Sequence, residues 1–351
     1  VTASVPKPTP KPSSPPPTQS SPSTPEPSSV QPGEDRPARA TGRPVVLGQN
    51  QYGKAEVRVV RVVRDGATHH LTDLTVSVAL SGDMTDVHYT GSNAAVLPTD
   101  TTKNTVYAFA RRHGITSAEV FAQLLARHFV TTQPSIHRAR VRVEAHGWRR
   151  IEPSAGADHP AGEDRPRHSF VRAGGERRLA QVAYDGDRFE VLSGLTGLTV
   201  LNTTNSEFWG YVKDRYTTLP EAHDRILATD VTGIWRHGWT GDGPGPEPDW
   251  DASHEAVRRH VLDAFAETYS RSLQQTLHQM GSRALEGRPE IEEIRFSLPN
   301  KHHFLVDLEP FGLSNDNEVY VAADRPYGLI EATVLREGAE ARIPPDLTNT
   351  L

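Results

Sequence analysis

The 351-residue sequence predicts an α+β chain of antiparallel sheets carrying helices on one face. Three observations lead there. Alternating, β-branched runs come in pairs joined by turn signals. Amphipathic helical stretches lie between those pairs. The order strand-strand, helices, strand-strand then occurs a second time, as a repeat of pattern without residue-level similarity.

In the first half, Ala55–Val63 is an alternating strand and Asp65-Gly66 a turn signal; Leu71–Leu80 returns with period two, so the pair is a hairpin. Ser81-Gly-Asp83 breaks it, and a loop runs through Gly91 to Pro98. Thr99, Asp100 and Thr101 are all N-cap types, Val106, Phe109 and Ala110 hold helical spacing, and Gly114 is a stop. Ser117 opens a second helix with Val120, Phe121, Leu124, Leu125 and Phe129 on its apolar face. Ala139–Trp148, His168–Arg172 and Arg178–Tyr184 follow as strands.

In the second half, Phe189–Thr204 is extended, Ala228–Trp235 is a strand, and residues 241–250 form a Gly/Pro/Asp loop. One long helix is expected over Ser253–Leu285, because Val257, Val261, Phe265, Thr268, Ser272, Thr276 and Met280 track a single stripe. Glu290–Phe296, His303–Leu308, Glu318–Val321 and Leu329–Leu335 complete the strands. Pro299 holds the residue before it extended, so the strand over His303–Leu308 is entered through a bend. Just past that bend stand Asn300, Lys301 and His302, which on their own fit a solvated turn as readily as groups presented at a strand start. A sheet with helices on one face leaves its other face to be covered, so the chain is expected to oligomerise.

Composition narrows the function. Residues 1–44 carry 13 of the 28 prolines and almost no large apolar side chain, which predicts a disordered or polyproline-like leader. The leader has no apolar segment of the signal-peptide kind. It holds five Lys/Arg against three Asp/Glu, so the −6 total leaves −8 on the remainder, which disfavours nucleic acid as partner. The absence of cysteine excludes disulfides, zinc–thiolate sites and thiol nucleophiles. No apolar run approaches the ~20 residues of a membrane span. The 16 histidines raise the question of a metal, but adjacent pairs such as His69-His70 and His302-His303 point to opposite faces of a strand and no HExxH spacing occurs.

Six stretches, in order, resemble the urate oxidase (uricase) family: Tyr52-Gly-Lys54; Leu97-Pro-Thr-Asp-Thr-Thr-Lys-Asn-Thr105; Gly197–Leu201 with Ser206-Glu-Phe-Trp-Gly210; Asp214–Leu219 running into Asp224-Arg-Ile-Leu-Ala-Thr229; Ser270-Arg-Ser-Leu-Gln-Gln-Thr276; and Leu298-Pro-Asn-Lys-His302. The resemblance spans about Gln51 to Arg336. It implies two tandem tunnelling-fold (ββααββ-type) units, here over 45–188 and 189–340 with 341–351 as a tail, closing into a barrel as a homotetramer with active sites at subunit interfaces. It also implies oxidation of urate by dioxygen and water to 5-hydroxyisourate and hydrogen peroxide, without metal or organic cofactor.

The resemblance assigns roles by position. Arg225 matches the arginine whose paired donors grip the purine edge, and Gln274 the amide on the opposite edge. Leu273 stands where valine is common and offers its backbone N–H. Phe208 matches the aromatic that stacks on the ring, and Thr99 with Asp100 the pair reaching in from a neighbouring subunit. Lys54, Thr99 and His302 correspond to a proton relay, and Asn300 to the amide that holds water or dioxygen above the purine. An insertion at Ala161–Arg167, between His159 and His168-Ser-Phe170, departs from the family pattern. The C-terminus, Thr-Asn-Thr-Leu351, lacks a peroxisomal address, so a bacterial-type cytoplasmic enzyme is expected. A pterin- or purine-processing tunnelling-fold enzyme would anchor its ring with a glutamate where Arg225 and Gln274 stand; a purine-binding scaffold without activity would not need Lys54, Thr99 and His302 together.

Overall fold

The computed structural model describes residues 43–152, 167–243 and 245–347, apart from the side chains of Asp324 and Leu347. Most of the proline-rich leader, the insertion up to Pro166 and the end of the C-terminal tail therefore lie outside the described residues. Val1–Val46 is set apart as one unit, described only at 43–46 as exposed chain without regular structure. Leu47–Leu351 forms the other.

That second unit is organised on one open, eight-stranded antiparallel sheet in which every strand pairs with its neighbours in sequence. Its order is β1 (Tyr52–Asp65), β2 (Thr68–Gly82), α1 (Thr85–Tyr89), α2 (Thr99–Arg112), α3 (Ala118–Thr132), β3 (Ile136–Arg150), β4 (Phe170–Tyr184), β5 (Phe189–Asn202), β6 (Leu227–His237), α4 (Trp250–Glu267), α5 (Leu273–Gly287), β7 (Ile291–Leu305) and β8 (Tyr320–Leu335). Two apolar clusters bind helices to one face. Val76, Val78 and Val141 pack with Phe121, Leu125 and Phe129 of α3. Leu227, Val231, Trp235 and Phe296 pack with Val257, Phe265, Leu277 and Met280 of α4 and α5. On the opposite face, Leu179, Leu192 and Ile234 are covered by Ile343 of the C-terminal segment.

The strand pairs and the Ser117 cap, whose side chain accepts from Val120 N–H at 3.1 Å, agree with the sequence reading. Four features differ. The predicted 253–285 helix is two helices. Thr268 N–H closes α4 on Ala264 O, and Ser270 then pairs as an extended residue with 205–207, its N–H reaching Asn205 O at 2.9 Å while its carbonyl accepts from Glu207 N–H at 2.8 Å. Ser272 caps the new start by accepting from Gln275 N–H. Secondly, the expected strand breaks at Pro299, between residues 172 and 178 and between 321 and 329 are not ends: β7, β4 and β8 run through them. Pairing of β7 with β6 lapses at Leu298–Pro299, and the bend is absorbed as a register shift against β8 between Asn300 and His302. Thirdly, a short helix, α1, forms in the predicted loop. Fourthly, Thr99 is not a cap. Pro98 holds that position, and Thr99 is the first helical residue.

Two buried histidines tie stability to pH. His237 (Nε2 3.0 Å from Ser193 Oγ) is pushed down to about 4, mainly by burial. His254 (Nε2 3.2 Å from Gly194 O) is pushed down to about 3, by burial and then by Arg178. Below pH 6.5 the unfolded chain takes up protons at both that the native state refuses. Stability therefore falls as pH drops from 6.5 towards 4, by about 1.4 kcal/mol per pH unit for each. Burial raises the Glu119 carboxyl, which opposes this trend because the native state gains that proton first. Urea midpoints across pH 7 to 4.5 are expected to fall less steeply for His254→Asn than for the unsubstituted protein; equal slopes would contradict the account.

Candidate active site

The break between α4 and α5 gathers a first group of the candidate residues. The bridge from Ser206 to Ser270 sets the start of α5 beside the 205–208 segment, and Phe208 pairs in turn with Ala222 through N–H···O bonds of 2.7 and 3.0 Å. This draws Phe208, the first turn of α5 and the approach to β6 together. Arg225 follows Ala222 by three residues, and its guanidinium carbon lies 5.5 Å from the Phe208 ring centre. Tyr211 stacks on Phe208 at 5.0 Å, 15° from parallel, and so backs the ring. Leu273 is buried at the first position of α5 while Gln274 is exposed at the second. Backbone N–H groups there have no partner within the helix.

Arg225 stands out electrostatically. It is half-buried, burial lowers its pKa, and its Nε is buried with no hydrogen-bond partner among the described residues. A buried guanidinium N–H left unpaired costs about 1–3 kcal/mol or more, a cost that an acceptor placed there would remove. Asn300 pairs with Thr229 across β6 and β7. His302 stacks on Phe304 at 5.8 Å, and burial, then Arg225 and His303, hold its pKa below the usual histidine value.

A second group of candidate residues lies at the sheet's far edge. Tyr52 and Lys54 pair with Leu80 and Val78, so their side chains leave the helix-bearing face. Gly53 is obligatory between them, since any Cβ there would strike the Val78 carbonyl. Tyr52 Oη accepts from Leu97 N–H at 2.9 Å, which fixes β1 against the entry to α2. Thr99 and Asp100 are exposed on that first turn. Lys103 and, more weakly, Asn104 and Lys54 hold the Asp100 carboxyl below its ordinary value. A hollow of about 320 Å³ lies along this edge, lined by Tyr52, Lys54, Ser77 and Arg140.

The structure thus collects Phe208, Arg225, Leu273, Gln274, Asn300 and His302 on one side, and Lys54, Thr99 and Asp100 on the other. It does not bring the two groups together within the chain. β1 and β7 are six strand spacings apart, roughly 29 Å measured along the sheet. A larger hollow of about 760 Å³, around Arg188, Arg236 and Arg342, holds none of these side chains. Among the described residues no group of three His, Cys, Asp or Glu is placed to hold a metal ion, and no helix is long and apolar enough to cross a membrane. Sequence reasoning missed Tyr52 and Tyr211; both lie in or beside the matched motifs, but their roles depend on long-range contacts.

The uricase family model matches residues 50–183 and 191–331. A uricase of Arthrobacter globiformis is 50% identical over 305 residues, covering 87% of this chain and 95% of that protein. A uricase of Emericella nidulans is 39% identical over 297 residues, covering 82% and 96%. The crystal structure of the Arthrobacter globiformis uricase superposes with a TM-score of 0.78 at 49% identity, over 88% of this chain and 100% of that one. A family match across most of the chain, with relatives this similar along nearly their whole length, is decisive: the chain belongs to the uricase family.

Proposed function

We propose that the chain oxidises urate with dioxygen at a site completed by a second copy of itself. Uricases are oxidoreductases that act on urate with oxygen. The observation that carries the site assignment is the orphaned Nε of Arg225 beside Phe208. A planar anion lying over Phe208 presents adjacent acceptors to the guanidinium, and Gln274 with the backbone N–H of Leu273 answers the opposite edge. Lys54, Thr99 and Asp100 come from the neighbouring subunit. Two tandem tunnelling-fold units, 45–188 and 189–340, and closure of the open sheet into a barrel by a homotetramer are the arrangement that supplies them.

In this reading Lys54, through the Thr99 hydroxyl, takes a proton from urate, and His302, neutral because its pKa is depressed, passes protons to and from water. The urate dianion gives two electrons to dioxygen, which leaves as hydrogen peroxide with two protons, the one taken from urate and the one released by the attacking water. Water, held with dioxygen in turn at Asn300, adds its hydroxyl to the oxidised ring to give 5-hydroxyisourate. The test is loss of the urate absorbance band with stoichiometric peroxide in chelator-treated protein. No turnover, or turnover only after adding metal, would sink the proposal.

Tyr52→Phe removes the bond that holds Leu97, and with it the placing of Thr99 against Lys54. One such hydrogen bond is worth about 1 kcal/mol, so the expected result is a five- to tenfold fall in kcat with Tm lowered by a few degrees at most. Steady-state kinetics that leave kcat unchanged would show that the tether does not serve the relay.

A further inference from the structure

We propose that Thr229 is a positioning residue for Asn300, its buried hydroxyl fixing which end of the amide faces the substrate. The inference rests on the urate oxidase reading above and adds a residue that neither grips the purine nor carries a relayed proton. Thr229 stands directly opposite Asn300 in the β6–β7 register. Paired residues leave the same face of a sheet with Cβ atoms about 4.5–5.5 Å apart, within reach of a hydroxyl–amide hydrogen bond.

The residue is fully buried, in line with Leu227 and Val231 on the face packed against α4 and α5. Its Oγ1 nevertheless has no hydrogen-bond partner among the described residues. Neighbouring threonines on the opposite face of the sheet are satisfied: Thr196 and Thr232 share a 2.8 Å hydroxyl contact, and Thr199 donates to Asp230. Among these threonines, the one left unpaired is the one whose strand partner is the amide. Packing cannot be the reason for a hydroxyl there, since valine has the same shape and no polar atom to strand.

An asparagine amide has a donor end and an acceptor end of nearly equal size, so shape alone does not orient it. The Thr229 hydroxyl, unpaired in the free chain, would break that symmetry once the amide turns onto it, bonding one end and leaving the other for the substrate side. Attack by water needs the acceptor end and binding of dioxygen the donor end, so a defined amide governs the rate of the steps after urate has bound. Urate affinity, set by Arg225, Gln274 and Phe208, is not involved.

The experiment compares Thr229→Val and Thr229→Ser with the unsubstituted protein, reading kcat, the KM for urate and for dioxygen, the pH profile and Tm. Thr229→Val is expected to lower kcat about tenfold or more, with urate KM within about twofold. Its acid limb should not move, because a hydroxyl does not titrate in this range, and its Tm should be equal or higher. Thr229→Ser should recover most of kcat. Wild-type kcat in Thr229→Val, or a loss in urate KM alone, overturns the proposal, as does a loss that Thr229→Ser shares. If Thr229→Val disturbs packing, Thr229→Ala must show the same kcat-selective loss. Failure of the unsubstituted protein to oxidise urate would sink the functional reading itself, an outcome distinct from these.

Discussion

Chains carrying Lys54→Met and chains carrying Arg225→Gln, each inactive alone, are expected to regain activity when co-expressed. Alone, Lys54→Met removes the base, at a cost in kcat of about 10²–10⁴. Arg225→Gln removes a charge-assisted grip worth about 3 kcal/mol or more, over a hundredfold in kcat/KM. The Arg225 variant should nonetheless fold as well as the unsubstituted chain or better, because the guanidinium is half-buried with an unpaired Nε. Lys54 stands on the edge strand β1 and Arg225 just ahead of β6, five strands along the sheet, and in the proposed reading the site takes one from each of two chains. In a random mixture, about a quarter of such sites draw Lys54 from an Arg225→Gln chain and Arg225 from a Lys54→Met chain. Those sites are intact. Activity in the mixture approaching about a quarter of wild type is the expected outcome. Mixtures no more active than either variant would mean that both residues serve one chain's site, or that one of them serves none.

This result depends on a separation that local sequence could not reveal. The alternation of Ala55–Val63 and Leu71–Leu80 marks β1 and β2, and the Ser117 cap is legible because the signal and its consequence lie three residues apart. The stripe from Val257 to Met280 misled for the opposite reason. Its helical spacing continues in phase across Thr268–Ser272, and only Asn205–Glu207, more than sixty residues away, divides it. That division creates the helix start where Leu273 and Gln274 stand, so the missed feature shapes the candidate site. Pro299 misled in a similar way. A proline usually ends a strand, but here β8 pairs along both sides of it and the strain appears as a shifted register next to Asn300 and His302. The individual site residues were recognisable as members of motifs; Tyr52 and Thr229 sat inside the same motifs unremarked, because a hydroxyl's role is set by what lies across the sheet.

His302→Gln is expected to lower kcat by about 10²–10⁴ and to abolish the acid limb of the pH profile. Burial, Arg225 and His303 all hold the imidazole pKa below 6.5, so the ring is neutral at pH 7 and able both to accept and to donate. As pH falls below 6.5 and through the depressed pKa, the ring takes a proton, loses its acceptor, and kcat/KM drops with one proton's slope. Glutamine keeps a donor and an acceptor but cannot carry a proton, so it leaves geometry near to wild type and removes the titration. A separate readout isolates the electrostatic cause. In Arg225→Gln the guanidinium no longer opposes protonation, and the His302 resonance should titrate at higher pH than in the unsubstituted protein. If His302→Gln retains the acid limb, another group is responsible for it, and the relay assigned to this histidine fails even if urate still binds between Arg225 and Gln274.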